Sequence, residues 1–354
     1  MSAPLVCAVD VGSTRIKAAL RAAGEPATAA GTAPYPAGAA HDAVWHAVTA
    51  TIRELMRHGR PDALILGAQM GGLCLLDRRY EPIGALEPGI DLDPDAAHRL
   101  DLTRSGCEQD RPTAAHRLAA LLSADPTLRP AVTLVGGVKE YLLRRLTGAW
   151  VSDPASASAS GFYDLATGTW SAETCAAVGI DPAGLPAIED PGTIVGSLTA
   201  AAARACALPA GTPVWCGIGD GPAANLSAAA TDWHGACLSQ GTTTVARVLG
   251  RRARPPAVGP DCFTQHVSTG WWAVGARVVT TAVPDPARQV LERIGRRMPI
   301  ERVLVTGGSA SQVDDPRARP VTADRADGTR GLALIAAGAA LRTDQPVPTA
   351  EGWQ

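Results

Sequence analysis

Two short turns combine glycine with hydroxyl side chains directly after apolar segments. The first is Asp10-Val11-Gly12-Ser13-Thr14, and the second is Gly241-Thr242-Thr243-Thr244. Glycine lets the backbone approach a ligand closely, and free backbone N–H groups bind phosphate oxygens. Asp10 adds a carboxylate suited to Mg²⁺, directly or through water. Both turns are therefore candidate phosphate sites, although glycine–threonine turns after strands are common for structural reasons alone.

Two familiar nucleotide motifs are missing from the sequence. It contains no GxxxxGK[ST] segment, which excludes a P-loop, and no GxGxxG after the first predicted strand, which disfavours a dinucleotide-binding Rossmann site. Lys17 follows the first turn on a predicted strand. It either lies near the phosphates or packs structurally, and the sequence leaves both alternatives open.

Asp220 is the best candidate for a catalytic base. It ends the apolar segment Cys216-Gly217-Ile218-Gly219 and is followed by Gly221. Clefts in α/β folds lie at the carboxyl ends of strands, so this position exposes the carboxylate to a ligand. An aspartate accepts the proton of the attacking hydroxyl in kinases. The alternative is that Asp220 is only a turn residue between glycines.

The elements around these residues alternate between strands and helices. Apolar runs predict strands at 5–9, 63–66, 214–218 and 302–306, and helical periodicity predicts helices at 42–58, 138–146, 286–298 and 331–341. A strand that runs into a glycine turn recurs in both halves. This pattern fits a duplicated α/β domain with a ligand in the cleft between the copies, divided here into residues 1–211 and 212–354.

Composition restricts the class of protein. The chain has 354 residues, 46% of them hydrophobic, and a net charge of −2, and it has no dense basic stretch, so nucleic acid is not an expected partner. The eight cysteines form no CxxC pair and the seven histidines show no metal spacing. No signal peptide or membrane-spanning run is recognisable, which predicts a cytoplasmic protein. A homodimer is an open alternative.

Taken in order, the motifs resemble those of the FGGY family of carbohydrate kinases. The turn at Asp10 with Lys17 resembles the first phosphate motif, and Gly241-Thr242-Thr243 the second. Gly217-Ile218-Gly219-Asp220 is similar to the G-x-x-D that carries the catalytic base. The remaining similarities are Gln69-Met70-Gly71-Gly72 to a sugar-contacting Gln-Met-His-Gly, Lys139-Glu140-Tyr141-Leu142 to a K-D-Y-L helix, and Gly307-Gly308-Ser309-Ala310-Ser311 to the adenosine motif.

The resemblance implies a two-domain actin-like (ribonuclease H-like) fold and an ATP-dependent phosphotransferase with an alcohol group as acceptor. ATP and Mg²⁺ are then the implied cofactors, and a small sugar or polyol is the implied substrate. Asp220 would be the base and Asp10 the metal ligand. The implied nucleotide-binding residues are Asp10, Gly12, Ser13, Thr14, Lys17, Gly241, Thr242, Thr243, Gly307, Gly308 and Ser309, and the implied substrate contacts are Gln69, Met70, Asp93 and Asp220.

The sequence departs from the family pattern in three ways, which affect the expected substrate more than the expected nucleotide. The chain is shorter than usual members, with the gap between Trp272 and Arg302. The family's W-x-D-x-R motif keeps only Asp93 of its three residues, and Gly71 stands where the Gln69 motif has histidine. Two alternatives therefore accompany the kinase hypothesis: a cyclitol or unusual-sugar kinase of an actinobacterial secondary-metabolite pathway, and a catalytically degenerate regulator that binds nucleotide or sugar.

Overall fold

The structure is a computed structural model. It describes residues 4–36, 38, 40–86, 100–108, 111–229, 231–241, 243–257, 259–306, 313–322 and 327–341. In these ranges no helix is long and apolar enough to cross a membrane.

A six-stranded sheet organises the first half of the chain. Its spatial order is β11-β12-β4-β1-β2-β3. Its strands are β1 (Val6–Val11), β2 (Arg15–Arg21), β3 (Ala29–Pro34), β4 (Ala63–Ala68), β11 (Ile194–Ser197) and β12 (Pro213–Gly219). Strand β4 is parallel to both β1 and β12, whereas β2 is antiparallel to β1 and β3. Every residue of β1 and β4 is buried, as expected for central strands covered by helices on both faces.

A second six-stranded sheet follows, in the order β15-β16-β14-β13-β17-β18. Its strands are β13 (Gly235–Gln240), β14 (Thr243–Arg251), β15 (Phe263–Ser268), β16 (Trp271–Val279), β17 (Arg302–Thr306) and β18 (Ala318–Pro320). Strand β14 is antiparallel to β13 and β16, and β17 is parallel to β13 and β18.

The two sheets repeat one topology. In the first sheet, β1 forms a hairpin with β2 and is parallel to β4 on its other side. In the second sheet, β13 forms a hairpin with β14 and is parallel to β17 on its other side. The turns of the two hairpins are the two glycine–hydroxyl turns of the sequence. The division between 211 and 212 stays a prediction, and the strand directly after it, β12, is hydrogen-bonded into the first sheet.

Nine α-helices lie in the described ranges. They are α1 (His41–Leu55), α2 (Ala114–Ala124), α3 (Val138–Thr147), α4 (Pro154–Ser158), α5 (Ala172–Val178), α6 (Ala200–Cys206), α7 (Asp220–Ala228), α8 (Pro286–Gly295) and α9 (Gly328–Ala336). Helices α1, α3 and α6 cover one face of the first sheet, and α8 covers the second sheet. Helices α7 and α9 pack against each other, with α9 on β1 and β4 and α7 reaching β14. This pair therefore connects the two sheets.

In the described residues, the segment between β4 and β11 adds no strand to the first sheet, although α3 within it packs on that sheet. It contains α2 to α5 and three two-stranded pairs. Their strands are β5 (Cys74–Leu76), β6 (Leu134–Gly136), β7 (Val151–Ser152), β8 (Tyr163–Asp164), β9 (Thr169–Trp170) and β10 (Ala187–Ile188). The small-residue segment 152–160 is ordered as helix α4, because the Asp153 carboxylate accepts hydrogen bonds from the backbone N–H groups of Ala155 and Ser156.

Candidate active site

Three strands of the first sheet end at the same edge. Strand β1 runs into the turn at Gly12, β4 into Gln69 and β12 into Asp220. Because β1, β4 and β12 are mutually parallel, their carboxyl ends lie side by side. Asp220 begins helix α7, so its side chain lies where the strand ends and the helix starts.

Glycines before Asp220 let β12 pack closely against β4 and Met70. Gly217 has a φ of +66°, and a β-carbon at this residue would overlap the carbonyl oxygen of Leu66 on β4. At Gly219 a β-carbon would overlap the sulfur of Met70. The glycines that the sequence places around Asp220 are therefore required by close packing, and they bring Met70 next to the end of β12.

The cleft at this edge has a volume of about 210 Å³ and joins the two halves of the chain. Of the predicted site residues, it is lined by Ser13 from the first turn, Gln69 and Met70 after β4, Asp220, and Thr243 after the second turn. Residues predicted from four distant segments thus surround one cavity.

Burial and nearby charges shift the pKa values of both Asp10 and Asp220. Burial, and next the charge of Asp220, raise the pKa of Asp10 to about 7, while Lys17 opposes the shift. Burial also raises the pKa of Asp220, against the lowering effects of Arg247 and of the Gly221 N–H, which donates to its Oδ1 at 2.7 Å. Lys17 pairs with Asp10 across the β1–β2 hairpin. It therefore contributes a positive charge beside both carboxylates.

The residues around Asp10 fit a magnesium ion. Oδ1 of Asp10 is buried and makes no hydrogen bond, so it is free to ligate a cation. In the described segments, no group of three or more His, Cys, Asp or Glu side chains is arranged so that it could hold a metal ion. Magnesium is usually held by one or two carboxylates together with water and substrate phosphates, so this sparse set suits it. Asp10 would hold the ion, which would offset phosphate charge.

The start of helix α9 lies against the other oxygen of Asp10. A β-carbon at Gly328 would come within 2.6 Å of Asp10 Oδ2, so only glycine leaves room for the carboxylate. Buried Arg21 on β2 anchors this end of the helix: its Nε donates to Thr329 Oγ1 at 3.0 Å and it forms an ion pair with Asp327 at 3.2 Å. Helix α9 thereby helps to position Asp10.

The cleft also contains charged side chains that sequence reasoning missed. Arg247, Gln265, Arg277 and Arg111 line it, and Glu108 lies directly behind Arg277. They come from β14, β15, β16 and the segment before α2. Alternation along β14 could have found Arg247, because residues 243, 245 and 247 share a face. The others had no signal in the sequence.

Several predicted site residues lie outside the described part of the chain: Asp93, Thr242, Gly307, Gly308 and Ser309. Among the remaining predicted residues, Gly12 and Gly241 lie in the two hairpin turns. The backbone N–H of Gly12 bonds to the carbonyl of Arg15 at 3.0 Å, and that of Gly241 to the carbonyl of Thr243 at 3.2 Å. Thr14 is exposed.

Comparisons with known proteins agree with this geometry. Residues 101–227 match the FGGY family of carbohydrate kinases, N-terminal domain. The chain is 29% identical to the xylulose kinase of Streptomyces coelicolor over 81% of this chain and 63% of that protein. It is also 29% identical to the xylulose kinase of Streptomyces rubiginosus, over 72% of this chain and 56% of that protein. The chain therefore spans less than two thirds of the length of these curated relatives.

Solved structures establish the fold. The crystal structure of ligand-bound xylulose kinase from Lactobacillus acidophilus superposes with a TM-score of 0.81 at 18% identity, over 96% of this chain and 90% of that one. Two repeated sheets around a shared cleft define a protein of the actin-like, two-domain α/β class, as predicted. Within that class, the match of residues 101–227 and the two related sequences support the predicted resemblance to the FGGY carbohydrate kinases.

Proposed function

We propose that the chain transfers the γ-phosphoryl group of ATP to a hydroxyl of a small sugar or polyol. The observation that carries the proposal is the single cleft that contains Asp220, both phosphate-turn residues Ser13 and Thr243, and Gln69 with Met70. Phosphoryl transfer needs positioning, charge stabilisation and a group that accepts the proton of the attacking hydroxyl. The cleft supplies candidates for each of these roles.

On the nucleotide side, the turns at Gly12 and Gly241 would bind phosphate oxygens through backbone N–H groups and hydroxyls. Lys17 and magnesium at Asp10 would offset the phosphate charge. This arrangement repeats on both sheets because the hairpins are equivalent, so the phosphates are clamped from two sides. Closure of the cleft around them would exclude water, which otherwise hydrolyses ATP.

On the acceptor side, Asp220 would accept the proton of the attacking hydroxyl. Its raised pKa suits this role, since a general base is most effective when its pKa approaches the working pH. Gln69 and Met70 follow β4 and line the same cleft, and they would contact the acceptor. Two relatives carry the name xylulose kinase, so a ketose is the first neutral acceptor to test.

The experiment is a comparison of wild type with Asp220→Asn, using mass detection of phosphorylated product over a panel of ketoses, cyclitols and sugar acids. We expect turnover to fall by about 10²–10⁴-fold, while the Kd of ADP stays within a few fold. Asp314→Asn, at an exposed aspartate away from the cleft, is the matched control. Full turnover in Asp220→Asn would refute the assignment of the base.

The same panel separates the enzyme from a regulator. Calorimetric binding of ATP without product from any acceptor would favour a degenerate binding protein on this fold. The two buried carboxylates argue for the enzyme, because a binding protein gains nothing from a charge on Asp220 that raises the pKa of Asp10.

A further inference from the structure

Three arginines line the cleft: Arg111, Arg247 and Arg277. Thr243, Val245 and Arg247 alternate along β14 and all line the cavity. With a rise of about 3.3 Å per residue, Arg247 starts ~13 Å along the strand from Thr243. Arg247 therefore belongs to the half of the cleft away from the second phosphate turn.

Arg247 is buried, and its guanidinium faces the cavity. The side chain packs against Gly221 next to Asp220, and the ring of Phe263 lies 5.3 Å from its guanidinium carbon. Within the described segments its one side-chain hydrogen bond runs from Nε to Oε1 of Gln265 at 3.3 Å. A guanidinium has five N–H donors, so the donors on its two terminal nitrogens remain available to a ligand.

Arg277 lies beside Arg247 on the neighbouring strand. It is paired in register with Val245, and its guanidinium carbon lies 5.9 Å from the same Phe263 ring. Its Nε donates to Glu108 Oε2 at 2.5 Å, and its backbone N–H donates to Glu108 Oε1 at 3.0 Å. This carboxylate holds Arg277 in place and offsets one positive charge. Arg111 adds a third guanidinium to the lining.

We propose that Arg247, supported by Arg277, binds a carboxylate of the acceptor, so that the substrate is a polyhydroxylated carboxylic acid. The proposal rests on the proposed kinase function, which it narrows. Neutral sugar hydroxyls both donate and accept hydrogen bonds, whereas guanidinium groups only donate and match a carboxylate in a bidentate geometry. Burial lowers the pKa of Arg247 even though Asp220 and Glu108 raise it, so the carboxylates already present do not fully offset the cost of burying its charge.

The first test uses two ligands that differ only in charge. D-gluconate and D-gluconamide have the same carbon chain and hydroxyls, but only gluconate carries a negative charge. Calorimetry on the wild-type protein without nucleotide should show gluconate binding about 10–100-fold more tightly, the range for hydrogen bonds to a charged group. Equal affinity for the two ligands would overturn the proposal, and this result requires no variant to fold.

The second test replaces the proposed anchor. Arg247→Gln should remove the preference for gluconate. Arg247→Lys should retain part of it, because lysine keeps the positive charge but cannot bind a carboxylate in the bidentate geometry of a guanidinium. Arg288→Gln is the matched control, since Arg288 is exposed on α8 and pairs with Glu292. Thermal unfolding confirms that each variant is folded. A gluconate preference that survives in folded Arg247→Gln would contradict the proposal.

Failure of this inference can be told apart from failure of the proposed function. If the protein phosphorylates a neutral sugar but does not prefer gluconate to gluconamide, the kinase function stands and the inference is wrong. If gluconate binds through Arg247 but no acceptor is phosphorylated, the anion site stands and the kinase function is wrong.

Discussion

Replacement of Asp10 by asparagine should stabilise the protein above neutral pH. The pKa of this carboxyl is raised from 3.8 to about 7 by burial and by Asp220. The folded state therefore holds the proton more tightly than the unfolded state. The stability that this group contributes is fully present below pH 3.8 and is lost as the pH rises through about 7.

The magnitude follows from the same two values. The interval between them corresponds to about 4 kcal/mol at 1.36 kcal/mol per pKa unit, which is the cost of ionising Asp10 in the folded state at pH 8. Water that enters the cleft and relaxation around the charge lower the observable gain to about 2–3 kcal/mol. Asparagine keeps the shape of the side chain and removes the charge, so the gain is electrostatic.

The assay is urea unfolding at pH 4 and pH 8, in buffer without magnesium or nucleotide. Asp10→Asn should exceed wild type in stability at pH 8 and match it at pH 4, and Asp314→Asn should change neither. Magnesium with ADP should then stabilise wild type more than Asp10→Asn, because the variant lacks the proposed metal ligand. Equal stability of Asp10→Asn and wild type at pH 8 would refute the electrostatic reasoning.

Three further predictions concern the frame of the site and its base. Gly217→Ala should lower the melting temperature far more than Gly211→Ala. Both glycines have a positive φ, but only at Gly217 would a β-carbon overlap the backbone of β4. Similar losses in the two variants would mean that the strained backbone conformation, and not the overlap, causes the loss. Lys139→Met should lower the free energy of unfolding in urea by about 3–5 kcal/mol. The substitution leaves the fully buried carboxylate of Asp153, now 2.8 Å from Lys139, without a cation. A loss under about 1 kcal/mol would contradict this prediction. The kcat/KM for the acceptor should fall on acidification through the raised pKa of Asp220, so an acid limb at or below pH 4 would speak against Asp220 as the base.

The local sequence pattern was sufficient to predict many of the strands and helices that position the site. The helix expected at 138–146 is α3 (Val138–Thr147), and the strand expected at 302–306 is β17 (Arg302–Thr306). Both have clear periodicity and flanking glycines, which are local properties of the chain. The small-residue segment 152–160 carries little helical signal in its composition, yet most of it is helix α4, because the Asp153 side chain caps the start of the helix.

The sequence by itself determined the turn after β1, its counterpart after β13, and the aspartate between glycines at 220. These features depend on residue types that are adjacent in the chain, and the conformational freedom of glycine makes them readable. The tertiary structure alone decided that Arg247 lies beside Asp220, and that Glu108 holds Arg277 across 169 residues of chain. Such pairs depend on how two sheets and their connecting helices pack, which no local spacing encodes, and in this protein they form the part of the cleft that faces the acceptor.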